Sequence, residues 1–207
     1  MRRPQEIAEA AALELTSTQG ALLRQLGAVA LGVGMLAASA RVAIRVPISP
    51  VPVTMQTLAV LLMGGLYGSR LGAGTVVTYL LCGLAGLPVF ASGVGGPVVL
   101  LGPTAGYLVG FVLAAYLAGR FQEIGRGRLA WVCAGMLAAA YVILLCGAAW
   151  LIVFLGGDAK KALVGGVLPF LAGDTVKAAL AAALCSALYR PAQRVLHPHH
   201  HNHDADA

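Results

Sequence analysis

The chain has 207 residues, of which 59% are hydrophobic and only 11% charged. A soluble domain carries roughly 25% charged residues, so this composition excludes an ordinary water-soluble fold and bounds the chain to one compact membrane-embedded bundle. The net charge of +6 does not mark a nucleic-acid binder. The basic residues sit at the ends of apolar segments, and no basic stretch is interleaved with aromatics.

Residues 1–20 form a polar, helix-prone leader with Glu6, Glu9 and Glu14 among alanines. It lacks the apolar core and cleavage site of a signal peptide. Six apolar segments follow, so the expected fold is an all-α integral membrane domain over residues 21–190, a compact bundle of six transmembrane helices. The segments cover about residues 21–40, 55–67, 71–87, 103–121, 129–155 and 167–189. The second spans only about 20 Å at ~1.5 Å per residue, against a hydrocarbon core of about 30 Å. It must begin below the surface or pack within the bundle. The loop before it reads VPISPVPVTMQ, and the loop before the fourth reads PVFASGVGGPVVLLGPT. Uncharged backbone of this kind persists at membrane depth only where it lines a cavity or is buried in protein. Residues 191–207 read as a polar, disordered tail. Its histidines (197, 199, 200, 201 and 203) are a composition that can bind divalent metal, but no part in the main function is assigned to them.

Lysine and arginine placement sets the orientation. With the N-terminus inside, Arg2, Arg3, Arg24, Arg70, Arg120, Arg126, Arg128, Arg190 and Arg194 fall on the cytoplasmic side. Arg41, Arg45, Lys160 and Lys161 fall outside. Both termini are therefore expected in the cytoplasm. The second, fourth and sixth segments then begin on the outer side, where helix N-termini present free N–H groups and positive dipole ends.

The sixth segment, VLPFLAGDTVKAALAAALCSALY, carries two charges, Asp174 and Lys177. Either alone would cost roughly 3 kcal/mol on insertion scales, and a spacing of three puts them on one helix face. The pair predicts a polar site in the bundle near its outer end. Lys177 and helix N-termini suit an anionic group, and Asp174 suits N–H donors. Cys82, Cys133, Cys146 and Cys185 all lie in apolar segments and read as reduced core or lipid-facing residues, not disulfides or metal ligands. No phosphate-binding G-x-x-x-x-G-K-[ST] loop and no H-E-x-x-H motif occur in the sequence. ATP hydrolysis by that route would have to come from other chains. No cofactor or metal is expected.

Four runs in order, VPVTMQTLAVLLMG, YLLCGLAGLPVFASG, LLGPTAGYLVGF and PFLAGDTVKAALA, resemble the BioY family, across about residues 22–189. Proteins of that family are the substrate-binding S components of energy-coupling-factor vitamin transporters, specific for biotin. The resemblance implies a biotin-binding subunit of the cell membrane, not an enzyme. It would capture biotin at the outer face for import driven by a transmembrane coupling protein and its ATPase subunits. The family's G-D-x-x-K pattern falls on Gly173, Asp174 and Lys177, and its P-V-T-x-Q-T pattern on Pro52, Val53, Thr54, Gln56 and Thr57. The implied substrate residues are Asp174, Lys177, Gln56 and Thr54, with Tyr79, Gly93 and Tyr107 as further candidates. Loop glycines such as Gly93 would let backbone approach the ligand. S components also dock through small residues on their first helix, which places Ala30, Gly34 and Ala38 at a partner interface. Gly32 and Ala28 offer a second such stripe. Arg41 and Arg45 depart from the apolar end expected of that helix; they would snorkel to the interface, or one would reach a substrate carboxylate. Two other function classes stay open on the residues: a self-sufficient carrier in which Asp174 and Lys177 exchange a proton, and a membrane enzyme using either as acid or base.

Overall fold

The structure is a computed structural model that describes residues 4–126 and 128–196, with the side chains described from residue 19 onward. The His-rich stretch 197–207 and Arg2 and Arg3 lie outside the described residues. Seven helices account for nearly all the regular structure described. They are α1 (Pro4–Arg41), α2 (Gln56–Tyr67), α3 (Ser69–Leu84), α4 (Ala105–Ile124), α5 (Leu129–Phe154), α6 (Ala159–Gly166) and α7 (Leu168–Leu196). Gln19–Arg41, α5 and α7 are long and apolar enough to cross a membrane. The chain is thus an α-helical membrane protein.

The leader and first apolar segment are one helix, because nothing between Pro4 and Arg41 breaks it. Past Arg41 the chain forms a short antiparallel pair, β1 (Ala43–Ile44) and β2 (Val53–Thr54), with Ala43 opposite Thr54. This hairpin and α6 lie outside the six predicted segments. α6 begins at Asp158, whose carboxylate accepts the Lys161 backbone N–H at 2.9 Å. That is an ordinary N-cap, inside a stretch too short to register as a span.

The 12-residue α2 packs wholly within the bundle, against α3, α4 and α7. Gly68, at φ 84, turns the chain straight into α3. A glycine N-cap has no side chain to satisfy the new helix, and Glu123 of α4 supplies one. It accepts Ser69 N at 2.7 Å and Ser69 Oγ at 3.1 Å, and pairs with Arg120 at 3.1 Å. Close helix approach rests on glycines here. A Cβ at Gly64 would overlap the Ala115 carbonyl, one at Gly72 would press on Met63 backbone, and one at Gly119 would meet the backbone of Ser69. Small residues allow such crossings in a medium where hydrophobic exclusion gives helices no reason to associate. The core runs from Leu36 through Leu61, Met63 and Val76 to Met136, Ile143 and Cys185.

Candidate functional site

At the opposite ends of the same helices the bundle opens. A cavity of about 510 Å³ lies among the starts of α2, α4 and α7, beneath the α1–α2 and α3–α4 loops. Asp174 and Lys177, one turn apart on α7, form its polar wall and are 1% and 8% exposed. Lys177 Nζ donates to Asp174 Oδ1 at 2.9 Å and to the Thr54 carbonyl at 2.7 Å. An ammonium has three donors, so one stays available. Among the described residues Asp174 Oδ2 has no protein donor, which leaves a carboxylate oxygen for a ligand N–H. Lys177 supplies the counter-charge that a carboxylate in a buried wall requires.

Thr54 and Gln56 enter from the α2 end. The Thr54 hydroxyl accepts Gln56 N and donates to Gln56 Oε1, both at 3.3 Å. Gln56 Nε2 donates to Tyr79 Oη at 2.9 Å. Tyr107 and Phe111 line the wall from α4 and Phe170 from α7. Tyr107 Oη donates to the Gly166 carbonyl at 2.6 Å, which fixes the end of α6 over the ring. The site thus combines an ion pair with aromatic walls, suited to a small polar ring system with apolar edges.

Of the residues expected at the site, Asp174, Lys177, Gln56, Thr54 and Tyr107 come together around the cavity. Tyr79 and Gly93 do not line it. Tyr79 is fully buried behind Gln56 and donates to the Val89 carbonyl at 3.0 Å. It joins Gln56 to the third loop from behind the cavity wall. Gly93, at φ 73, turns its open side to the Arg41 guanidinium, so its missing side chain makes room for that arginine. Ser49, Phe90, Phe111 and Phe170 line the cavity and were not singled out from sequence. Two had a signal: Phe111 is four residues after Tyr107 and Phe170 four before Asp174, each one turn along the same face.

The small-residue stripe Ala30, Gly34 and Ala38 is exposed on α1, and a Cβ at Gly34 would meet nothing within 4 Å. Gly32 faces the other way, buried against Thr75, Met63 and Tyr67. All four cysteines are free thiols.

Comparison with known proteins shows the family of the chain. The family model described as the BioY family matches residues 9–194. The chain is 38% identical to a probable biotin transporter BioY of Pyrococcus horikoshii, over 80% of this chain and 96% of that one. It is 39% identical to the biotin transporter BioY of Thermotoga maritima, over 68% and 82% of the two chains. A crystal structure of the S-component for biotin from an ECF-type ABC transporter superposes with a TM-score of 0.69 at 25% identity, covering 81% of this chain and 92% of the other. These relatives are transporter components, not enzymes. By its sequence motifs, its helical architecture and a match over nearly its whole described length, the chain belongs to the BioY family.

Proposed function

We propose that this protein captures biotin in the cavity under its two loops and presents it for import by partner subunits. The observation that carries the reading is the buried Asp174–Lys177 pair, held against Thr54 in a cavity walled by Tyr107, Phe111 and Phe170. Biotin offers matching chemistry. Its ureido group has two N–H donors and a carbonyl, for Asp174 Oδ2 and the free Lys177 donor. Its thiophane ring is apolar and suits the aromatic wall. The relatives' names as biotin transporters support the same ligand.

In this reading the six apolar helices span the membrane with both termini in the cytoplasm. Arg24, Arg70, Arg120, Arg126, Arg128, Arg190 and Arg194 lie toward the end away from the cavity, as the positive-inside bias requires of a cytoplasmic face. The cavity then faces outward. ATP-driven uptake rests on a transmembrane coupling protein and ATPase chains, which would dock on the exposed α1 stripe of Ala30, Gly34 and Ala38. A proton-exchanging carrier is the weaker reading, because among the described residues no acid other than Asp174 lines the cavity to relay a proton.

Calorimetric titration of the detergent-purified chain tests the reading. Biotin should bind tightly at one site, and thiamin and riboflavin should not bind. Equal affinity for the three vitamins, or no heat with biotin, overturns it.

A further inference from the structure

We infer that Arg45 is the residue that takes the ligand's carboxylate, and so decides between free biotin and its uncharged derivatives. The inference rests on the biotin reading above and deepens it. Among the described residues, three charged side chains line the cavity: Arg45, Asp174 and Lys177. Asp174 and Lys177 neutralise each other at 2.9 Å. The cavity therefore carries one uncompensated positive charge, and it sits at the exposed mouth, while the pair sits in the buried wall.

Arg41, the last residue of α1, and Arg45 just past it both reach across to the third loop, yet their states differ. Arg41 donates to the Pro88 carbonyl, has its guanidinium against Gly93, and does not line the cavity. Arg45 lines the cavity, and its one protein partner among the described residues is the Ser92 hydroxyl at 3.4 Å. That is a long bond to a neutral atom. A guanidinium has five N–H donors in a fork that matches a carboxylate, so most of its capacity is unused. Ser92 itself sits at φ 61, a conformation that non-glycine residues adopt rarely. Arg45 thus stands between the first loop and the third, where a ligand anion at the mouth would join both.

A ligand with a polar ring and an anionic tail has only one good orientation here. Its N–H donors match the free oxygen of the neutral Asp174–Lys177 pair, and its carboxylate matches Arg45, the uncompensated charge at the mouth. Because Arg45 is solvent-exposed, its attraction is partly screened, and the expected effect is modest and salt-dependent.

The test is calorimetry on the detergent-purified full chain with two ligands, biotin and biotinamide, which lacks the charge. Wild type should prefer biotin by about tenfold, the size expected of one hydrogen bond to a charged group. Arg45→Gln should weaken biotin by about tenfold and leave biotinamide within about twofold. Arg45→Lys should recover part of the preference, and raised salt should shrink it in wild type. Arg41→Gln should keep the wild-type ratio. Equal weakening of both ligands by Arg45→Gln would make the residue a strap for the third loop and overturn the assignment, as would an unchanged affinity for biotin. If wild type bound neither ligand, the biotin reading itself would fall. A wild type that bound both equally would leave that reading standing and remove Arg45 from it.

Discussion

The two ends of this bundle are built from the same helices by opposite means. Away from the cavity, Gly64, Gly72 and Gly119 let α2, α3 and α4 meet backbone to backbone. Toward the cavity, the same α2 and α4 present Thr57, Tyr107, Leu108 and Phe111, and the space between them holds a ligand-sized void. Below Lys177 the α7 face changes to Ala178, Ala181, Ala182 and Cys185, all essentially unexposed. The difference teaches that the site is a pocket with a packed floor: side chains hold α2 and α4 apart above, and their absence lets these two helices meet below. Rigidity at the floor is what lets a polar pair stand at fixed geometry in the wall.

Filling the floor breaks the comparison most severely. In Gly64→Val the new side chain meets the Ala115 carbonyl, which is backbone and cannot rotate away. Overpacking of this kind costs about 3 kcal/mol. We expect loss of the monodisperse folded protein in detergent, or a large drop in its melting temperature. A variant as stable as wild type would mean that the α2–α4 crossing is looser than the structure has it.

In the cavity half, Lys177→Ala leaves Asp174 buried without its counter-charge. Biotin affinity should fall at least tenfold, about 1.4 kcal/mol, and stability should fall as well. The double variant Asp174→Asn with Lys177→Met separates the two effects. Removing both charges should restore stability without restoring binding. If the uncharged double variant binds biotin like wild type, the pair serves packing alone.

How much of this was legible in the sequence depends on whether a residue acts through its own position or through another's. Asp174 and Lys177 were legible because two charges in an apolar span demand an explanation, and their spacing puts them on one face. The all-helical membrane fold was legible from hydropathy for the same reason. The place of Tyr79 behind the cavity wall was not legible, since it is set by hydrogen bonds to Gln56 and Val89 that the sequence does not display. The neighbour of Gly93 was not legible because a loop glycine looks the same whether it makes room for a ligand or for Arg41. Helix α6 was missed because the charges of Lys160 and Lys161 and its 8-residue length hide it from any hydropathy window. The aromatic wall was hidden because Phe111 and Phe170 look like any lipid-facing residue until the face is fixed by a polar neighbour.

Tyr79 offers a finer test within the cavity half. Tyr79→Phe keeps the ring, with its edge-to-face contact on Phe90 at 5.5 Å, and removes the hydroxyl that accepts from Gln56 and donates to Val89. One hydrogen bond lost in a buried network is worth about 1 kcal/mol, or about fivefold in biotin affinity. Calorimetry on this variant reads the value directly. A loss comparable to that of Lys177→Ala would put Tyr79 in contact with the ligand after all.

The smallest expected effect on binding is at the outer face of α1, and there the contrast between neighbours is sharpest. Gly34 and Gly32 are two positions apart, about 200° around the helix. A side chain at Gly34 meets nothing, whereas one at Gly32 collides with Thr75 and Met63. Gly34→Trp should therefore leave melting temperature and biotin affinity unchanged in the purified chain. Gly32→Trp should destabilise it, and so cannot serve as a neutral comparison. If the exposed stripe is where a partner helix docks, Gly34→Trp should still lower biotin uptake in cells holding the coupling subunits, and lower co-purification with them. A bulky group on a small-residue face holds a partner backbone away. Intact uptake and co-purification would remove the stripe from the docking surface, whereas weakened binding in the purified chain would mean that this face supports the cavity from behind.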